Sequence, residues 1–192
     1  AMAKMKFGAW IPTFAWSGGK SDPKNVKRIR ESIEKCEDHG IDVWVIDHLL
    51  SAPGLYGNAW LEPLNSLAFA AALTKKVKIA TGILVLPVRH PVVLAKEIST
   101  LCHLSENRYM FGVGPGWYAR EYEVTGSRIE ERGKRTDEII EAVTLLLTKP
   151  NASFQGKYYQ FSDVTIEPRP PKMPAIWVSG GSRVPDPTDH DV

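Results

Sequence analysis

The chain has 192 residues, with 24 Lys+Arg against 22 Asp+Glu for a formal charge of +2, 43% hydrophobic residues, 15 Gly, 14 Pro and 2 Cys. These figures exclude a disordered chain, a collagen-like repeat and a small disulfide scaffold. Charge this near balance, with Lys and Arg scattered rather than blocked, gives no electrostatic footprint for nucleic acid or an anionic membrane surface, and no apolar stretch reaches bilayer-spanning length.

The first strand is expected over Lys6 to Phe14, ending in the loop Ala15-Trp16-Ser17-Gly18-Gly19. Asp22 is the expected N-cap of the next helix and Pro23 its first residue. Val26, Ile29, Ile33 and Cys36 then recur at spacings of three and four until Gly40 stops the helix. Val43 to Ile46 is a continuous apolar run suited to a strand covered on both faces. A second helix is expected over Glu62 to Thr74, and a strand over Val77 to Leu86 that contains Gly82. A third helix begins at Pro91 and turns Val93, Leu94, Ile98, Leu101 and Cys102 inward. Tyr109 to Val113 reads as the fourth strand.

Strand and helix alternating at a repeat of about 35 residues indicate parallel βαβ units, so the class is α/β. A long helix over Arg132 to Lys149 and a small hairpin over Ser153 to Ile166, turning at Gln155-Gly156, follow the fourth strand. Residues 118–174 therefore read as an insertion within a single domain spanning residues 1–192. A fifth strand, Ala175 to Ser179, follows the Pro-rich linker Pro168 to Pro174 and ends in Gly180-Gly181-Ser182, while 183–192 show no periodicity. Cys36 and Cys102 both fall at apolar helical positions. Together with the lack of a secretory signal at the N-terminus, they predict two buried, reduced thiols and a cytoplasmic location.

Parallel sheets place their sites at the C-terminal edge, so the strand ends are the places to look. Trp10 to Phe14 puts two aromatics and Pro12 at the first end, equally suited to packing and to a ring-binding wall. Asp47 and His48 place a carboxylate and an imidazole at the second end. His90, before a helix-starting proline, suits local hydrogen bonding. None of the five histidines has metal-ligand spacing to a second His, Cys or carboxylate, so no metal is expected. Gly112-Val113-Gly114-Pro115-Gly116-Trp117 departs from G-x-G-x-x-G, and Pro115 lacks an N–H that a phosphate loop would use. Gly180, Gly181 and Ser182 make a better anion cradle. Neither G-x-S-x-G nor a Walker motif occurs, which argues against hydrolase and NTPase chemistry.

Three stretches carry a family resemblance. They are Thr81-Gly82-Ile83-Leu84-Val85-Leu86-Pro87 with His90-Pro91; Asn107 to Gly114 with Gly116-Trp117-Tyr118 and Glu121-Tyr122; and Phe154 to Tyr159 leading to Pro168-Arg169-Pro170 and Ile176-Trp177-Val178. Taken in this order and spacing, the chain resembles the bacterial luciferase-like flavin monooxygenases and their relatives that use the deazaflavin F420, from Lys6 to Ser182. The resemblance implies a (β/α)8 TIM barrel, of which this chain shows strands one to five with an insertion after strand four. It implies a non-prolyl cis peptide at Gly82–Ile83 beneath the isoalloxazine ring. It also implies ring contacts from Trp10, Thr81, Gly82, Ile83 and the Gly114, Pro115, Gly116 and Trp117 loop, a phosphate grip at Gly180, Gly181 and Ser182, and hydrogen bonding or proton transfer by Asp47 and His48.

Two departures stand out. The position of the reactive cysteine of luciferase is Gly114 here, and a closed barrel needs eight strands and typically about 250 residues. The chain is then either a portion of a longer protein or a reduced relative that assembles with another subunit; an uncovered interior predicts association, with a homodimer as the default. The function expected first is oxidation of a small organic substrate by O2 and reduced FMN from a separate flavin reductase. F420-dependent hydride transfer without O2 is the alternative, and a flavin-binding protein without turnover is the third.

Overall fold

The computed structural model describes residues 5–16, 22–52 and 57–180. Five parallel strands form the centre: β1 (Gly8–Trp10), β3 (Asp42–Val45), β5 (Ile79–Thr81), β7 (Tyr109–Gly114) and β10 (Ala175–Val178), hydrogen-bonded in that order. Each crossover carries helix, which makes the fold α/β with a parallel central sheet. The crossover helices are α1 (Val26–His39), α2 (Pro63–Leu73), α3 (Pro91–Leu104) and, between β7 and β10, α4 (Ala119–Val124) and α5 (Arg132–Thr148). The antiparallel hairpin of β8 (Ala152–Gln155) and β9 (Gln160–Val164) follows α5. Among the described residues no helix is long and apolar enough to cross a membrane.

Three boundaries and one helix facing differ from the sequence expectation. The Lys6 to Phe14 segment is not one strand: Pro12 has no N–H to continue the ladder, the chain bends there with Thr13 N–H donating to Ile11 O (2.8 Å), and β2 (Phe14–Trp16) pairs antiparallel with β4 (Gly57–Trp60) instead. The strand expected through Gly82 is interrupted at the cis Gly82–Ile83 peptide, resuming as β6 (Leu84–Val85) alongside β7. Asp22 caps only a turn, its carboxylate accepting from Lys24 N–H (2.9 Å), while Asn25 is the N-cap of α1 and accepts from Arg28 N–H (3.1 Å). Val93 faces outward, 57% exposed, on the α3 face it shares with Lys96, Glu97 and Thr100.

The remaining caps follow local chemistry. Gly40 takes the left-handed conformation that ends α1. Glu62 accepts from Asn65 N–H (2.7 Å) ahead of Pro63, and His90 Nδ1 accepts from Val92 N–H (3.3 Å) ahead of Pro91, the local role expected of it.

The two sheet faces differ. Val43, Val45, Ile79, Tyr109, Phe111 and Val113 pack under the helices with Ile33, Leu67, Leu94, Ile98, Ile139 and Leu146 in one continuous core. The opposite face aligns Trp10, Trp44, Ala80 and Met110 across β1, β3, β5 and β7. Trp10 and Trp177 are 61% and 56% exposed there. Gly112 also sits on this face and has no room for a side chain, because a Cβ would collide with the Thr81 carbonyl oxygen. Cys36 and Cys102 are free and buried as expected, and burial pushes the Cys102 thiol up to about 12.

At the opposite, N-terminal edge of the sheet, Arg108 is 8% exposed and ends α2. Its Nη1 donates to Thr74 Oγ1 (2.7 Å) and Val77 O (2.9 Å), and its Nη2 to Ala71 O (3.1 Å) and Thr74 O (2.9 Å). Arg108→Met would strand these buried acceptors, and a loss of about 2–4 kcal/mol is expected in urea melts. A loss below about 1 kcal/mol would show that the carbonyls find other donors.

Candidate functional site

The C-terminal strand edge gathers most of the expected site residues. Trp10 ends β1, Asp47 and His48 follow β3, Thr81 ends β5 with Gly82 and Ile83 after it, and Gly114 ends β7 with Pro115 to Trp117 after it. Ile83 lies over Gly114: a Cβ on that glycine would stand 3.1 Å from Ile83 Cδ1 and 3.4 Å from Ser179 Cβ. The Trp10 indole nitrogen is similarly close to Gly82, 3.2 Å from where a Cβ would stand, with Trp44 packed on the same glycine. Gly116 adopts φ +72°, and a side chain there would meet Val85 as well as a strained backbone, so the turn that presents Trp117 requires glycine. Tyr122 donates its hydroxyl hydrogen bond to Pro115 O and holds this turn from below.

Four expected site residues stand apart from this cluster. Thr81 is fully buried, donating to Gly112 O (2.7 Å) and lying 3.1 Å from Tyr109 Oη, so its hydroxyl braces β5 on β7. Gly180 is exposed, and among the described residues nothing stands within 4 Å of where its Cβ would be. Gly181 and Ser182 lie outside the described residues.

Asp47 and His48, adjacent in sequence, go separate ways. Asp47 is 5% exposed, and its two oxygens accept from Arg89 Nη2 (3.1 and 3.0 Å) while Oδ2 also accepts from Val85 N–H (2.8 Å). Burial is the largest influence on this carboxyl and raises it above its ordinary range, against the pull of Arg89 and the Val85 N–H. For Arg89, burial works against the charge, but Asp47 and Glu62 (3.3 Å) outweigh it and hold the guanidinium above its usual value. The carboxylate is thus a brace between the loop after β3, Val85 of β6 and the turn before α3.

His48 turns the other way, into an aromatic recess. Its ring centroid is 4.7 Å from that of Trp60 and 5.7 Å from that of Trp117, the latter edge-on. Its Nδ1 lies 3.1 Å from Glu121 Oε1, and Glu121, 1% exposed on α4, accepts at the same oxygen from Leu49 N–H (2.8 Å) and Leu50 N–H (3.2 Å). The recess therefore joins elements from three separate parts of the chain.

Glu121, Arg89 and Trp60 are site residues that the sequence expectation leaves out. Glu121 had a signal, being a carboxylate next to Tyr122 in a short helix after the glycine turn, although its partner is 73 residues away. Thr13 is also absent from it: 1% exposed near the end of β1, its hydroxyl has no hydrogen-bond partner among the described residues. No group of three or more His, Cys, Asp or Glu among the described residues is placed to hold a metal ion.

An F420-dependent glucose-6-phosphate dehydrogenase from Amycolatopsis mediterranei is 34% identical to this chain over 156 residues, 78% of this chain and 46% of that protein. An alkanal monooxygenase alpha chain from the Kryptophanaron alfredi symbiont is 27% identical over 166 residues, 85% of this chain and 45% of the other. The structure of monooxygenase RslO1 from Streptomyces bottropensis matches with a TM-score of 0.78 at 26% identity, covering 91% of this chain and 53% of that one. The chain spans about half the length of these relatives. The family model for luciferase-like monooxygenases matches residues 5–185, the glycine turn and the His48 recess included, and the chain belongs to that family.

Proposed function

We propose that these strand ends form the cofactor site of a (β/α)8 oxidoreductase, with residues 118–174 inserted after its fourth barrel strand, and that the reaction is hydride exchange between F420 and a small alcohol or carbonyl compound. The observation that carries this reading is an imidazole, His48, held against Trp60 and Trp117 at the C-terminal strand edge, where Gly82, Gly114 and Gly116 let Trp10, Ile83 and Val85 pack close. The edge suits a flat tricyclic ring: Trp10 is 61% exposed there, and the buried Thr13 hydroxyl has hydrogen-bonding capacity to spare. When bound, the deazaflavin would supply the hydride-exchanging carbon, and Gly180, Gly181 and Ser182 would hold its phosphate. The protein's part is to orient the substrate, to exclude water with the tryptophans, and to take the hydroxyl proton at His48 as the C–H hydride leaves and the C=O forms. The 34% identity with the F420-dependent dehydrogenase supports this cofactor.

The second reading is an FMN monooxygenase supplied with reduced flavin by a separate reductase, and the 26% identity with RslO1 favours it. Titration of the protein with F420 and with FMN, followed by quenching of tryptophan fluorescence, separates the two. F420 saturating at micromolar concentration with FMN at least about tenfold weaker is expected. Preference for FMN, with O2 uptake on addition of a flavin reductase, would move the assignment to the second reading.

A further inference from the structure

The three donors gathered on one oxygen of Glu121 fix more than a loop. Leu49 N–H and Leu50 N–H can only donate, so the oxygen they share acts as an acceptor, and the Nδ1 of His48 facing that same oxygen must carry a proton. We propose that Glu121 is a positioning residue that holds neutral His48 as its Nδ1–H tautomer, leaving Nε2 as the acceptor nitrogen of the ring. An unconstrained neutral imidazole is free to take either tautomer, and the wrong one presents a donor where a proton acceptor is required. Because Oε1 also binds the two backbone N–H groups that follow His48, α4 fixes the path of the chain leaving β3 together with the ring orientation. Glu121 is 1% exposed and His48 has a 7% exposed side chain, so water competes little for these bonds.

That Nε2 is the nitrogen receiving the substrate proton rests on the hydride-transfer reading above; the tautomer itself does not. The test therefore uses a readout that needs neither cofactor nor turnover. Side-chain 15N chemical shifts of His48 are measured at alkaline pH in the wild-type protein, in Glu121→Gln and in Glu121→Leu. The amide oxygen of Glu121→Gln can accept the same three bonds, so this variant should keep the Nδ1–H pattern and serve as the folded control. Glu121→Leu removes the acceptor and should shift His48 toward the Nε2–H pattern. In turnover with F420, it should lower kcat on the order of 10² with KM changed less than about threefold, while Glu121→Gln retains most of the rate.

An Nε2–H pattern in the wild-type protein would overturn the proposal. So would an unchanged pattern in Glu121→Leu, which would reduce Glu121 to a clamp on the loop. Should Glu121→Leu fail to fold, a wild-type pattern shared with Glu121→Gln, together with a Nδ1-bound proton coupled across the hydrogen bond to the carboxyl of 13C-labelled Glu121, would sustain it; absence of that coupling would sink it. The predicted tautomer without any F420 binding would overturn the hydride-transfer reading and leave the role of Glu121 standing.

Discussion

Asp47→Ala is expected to destabilise the protein by about 3–5 kcal/mol, because it leaves a buried guanidinium without its closest counter-charge. Arg89 has a 17% exposed side chain and Asp47 a 4% exposed one; of the two other carboxylates acting on Arg89, Glu62 is 40% exposed and 3.3 Å away, and Glu97 acts through space without a hydrogen bond to it. Loss of the carboxylate also strands the Val85 N–H in β6, a buried donor with a cost of its own of about 1–3 kcal/mol. The double variant Asp47→Ala/Arg89→Met removes the charge problem along with the pair and should recover a large share of the loss, since a buried ion pair replaced by apolar groups is often near neutral. Urea melts of the two single variants and the double variant measure this coupling. A loss below about 1 kcal/mol in Asp47→Ala, or strict additivity in the cycle, would show that water or Glu62 already satisfies Arg89. The variant should also weaken cofactor binding, since the brace sets the β6 segment that follows the Gly82–Ile83 peptide.

That Asp47 is a brace could not be read from its neighbours in sequence. Asp47-His48 at a strand end looks like one unit of acid–base chemistry, yet the partners that decide each residue's role lie 42 and 73 positions away at Arg89 and Glu121. Long-range polar pairing leaves no periodic trace, whereas helix ends do: Gly40, Glu62 before Pro63, and His90 before Pro91 stand where local chemistry places them. The parallel strands were legible for the same reason, since β-branched runs between helices have few other uses. Choices between similar neighbours were not. Asp22 and Asn25 can both cap a helix, and the turn ahead of α1 selects the later one. Val93 is as apolar as Leu94, but it shares the outer face of α3 with Lys96 and Glu97. Strand β4 was hidden because its partner β2 falls on the end of the expected first strand and the Ala15-Trp16 start of the expected loop, and the bend at Pro12 frees it to pair. The glycines were legible as points of close approach, but which atoms approach them, Ile83 on Gly114 and Trp44 on Gly82, depends on strand register.

His48→Ala is expected to lower kcat for F420-coupled alcohol oxidation by about 10²–10⁴-fold, the usual contribution of a positioned acid–base group and equivalent to about 3–5 kcal/mol of barrier. The expectation follows from the recess: Trp60 and Trp117 hold the ring at 4.7 and 5.7 Å between centroids, and Glu121 anchors one nitrogen, so a single orientation is presented to the strand edge. Removing the imidazole leaves Trp10, Ile83 and the Trp117 turn in place, so the Kd for F420 should change less than about tenfold while the chemical step slows. Single-turnover reduction of F420, read by its absorbance, separates those two effects. Folding losses are excluded by comparing urea melts, where the lost ring packing accounts for about 1–3 kcal/mol. A variant that keeps more than about a tenth of the single-turnover rate would mean that the substrate proton leaves by another route. His48 would then be a wall of the recess, with the Trp117 turn and the Thr13 hydroxyl the next candidates for handling the substrate oxygen.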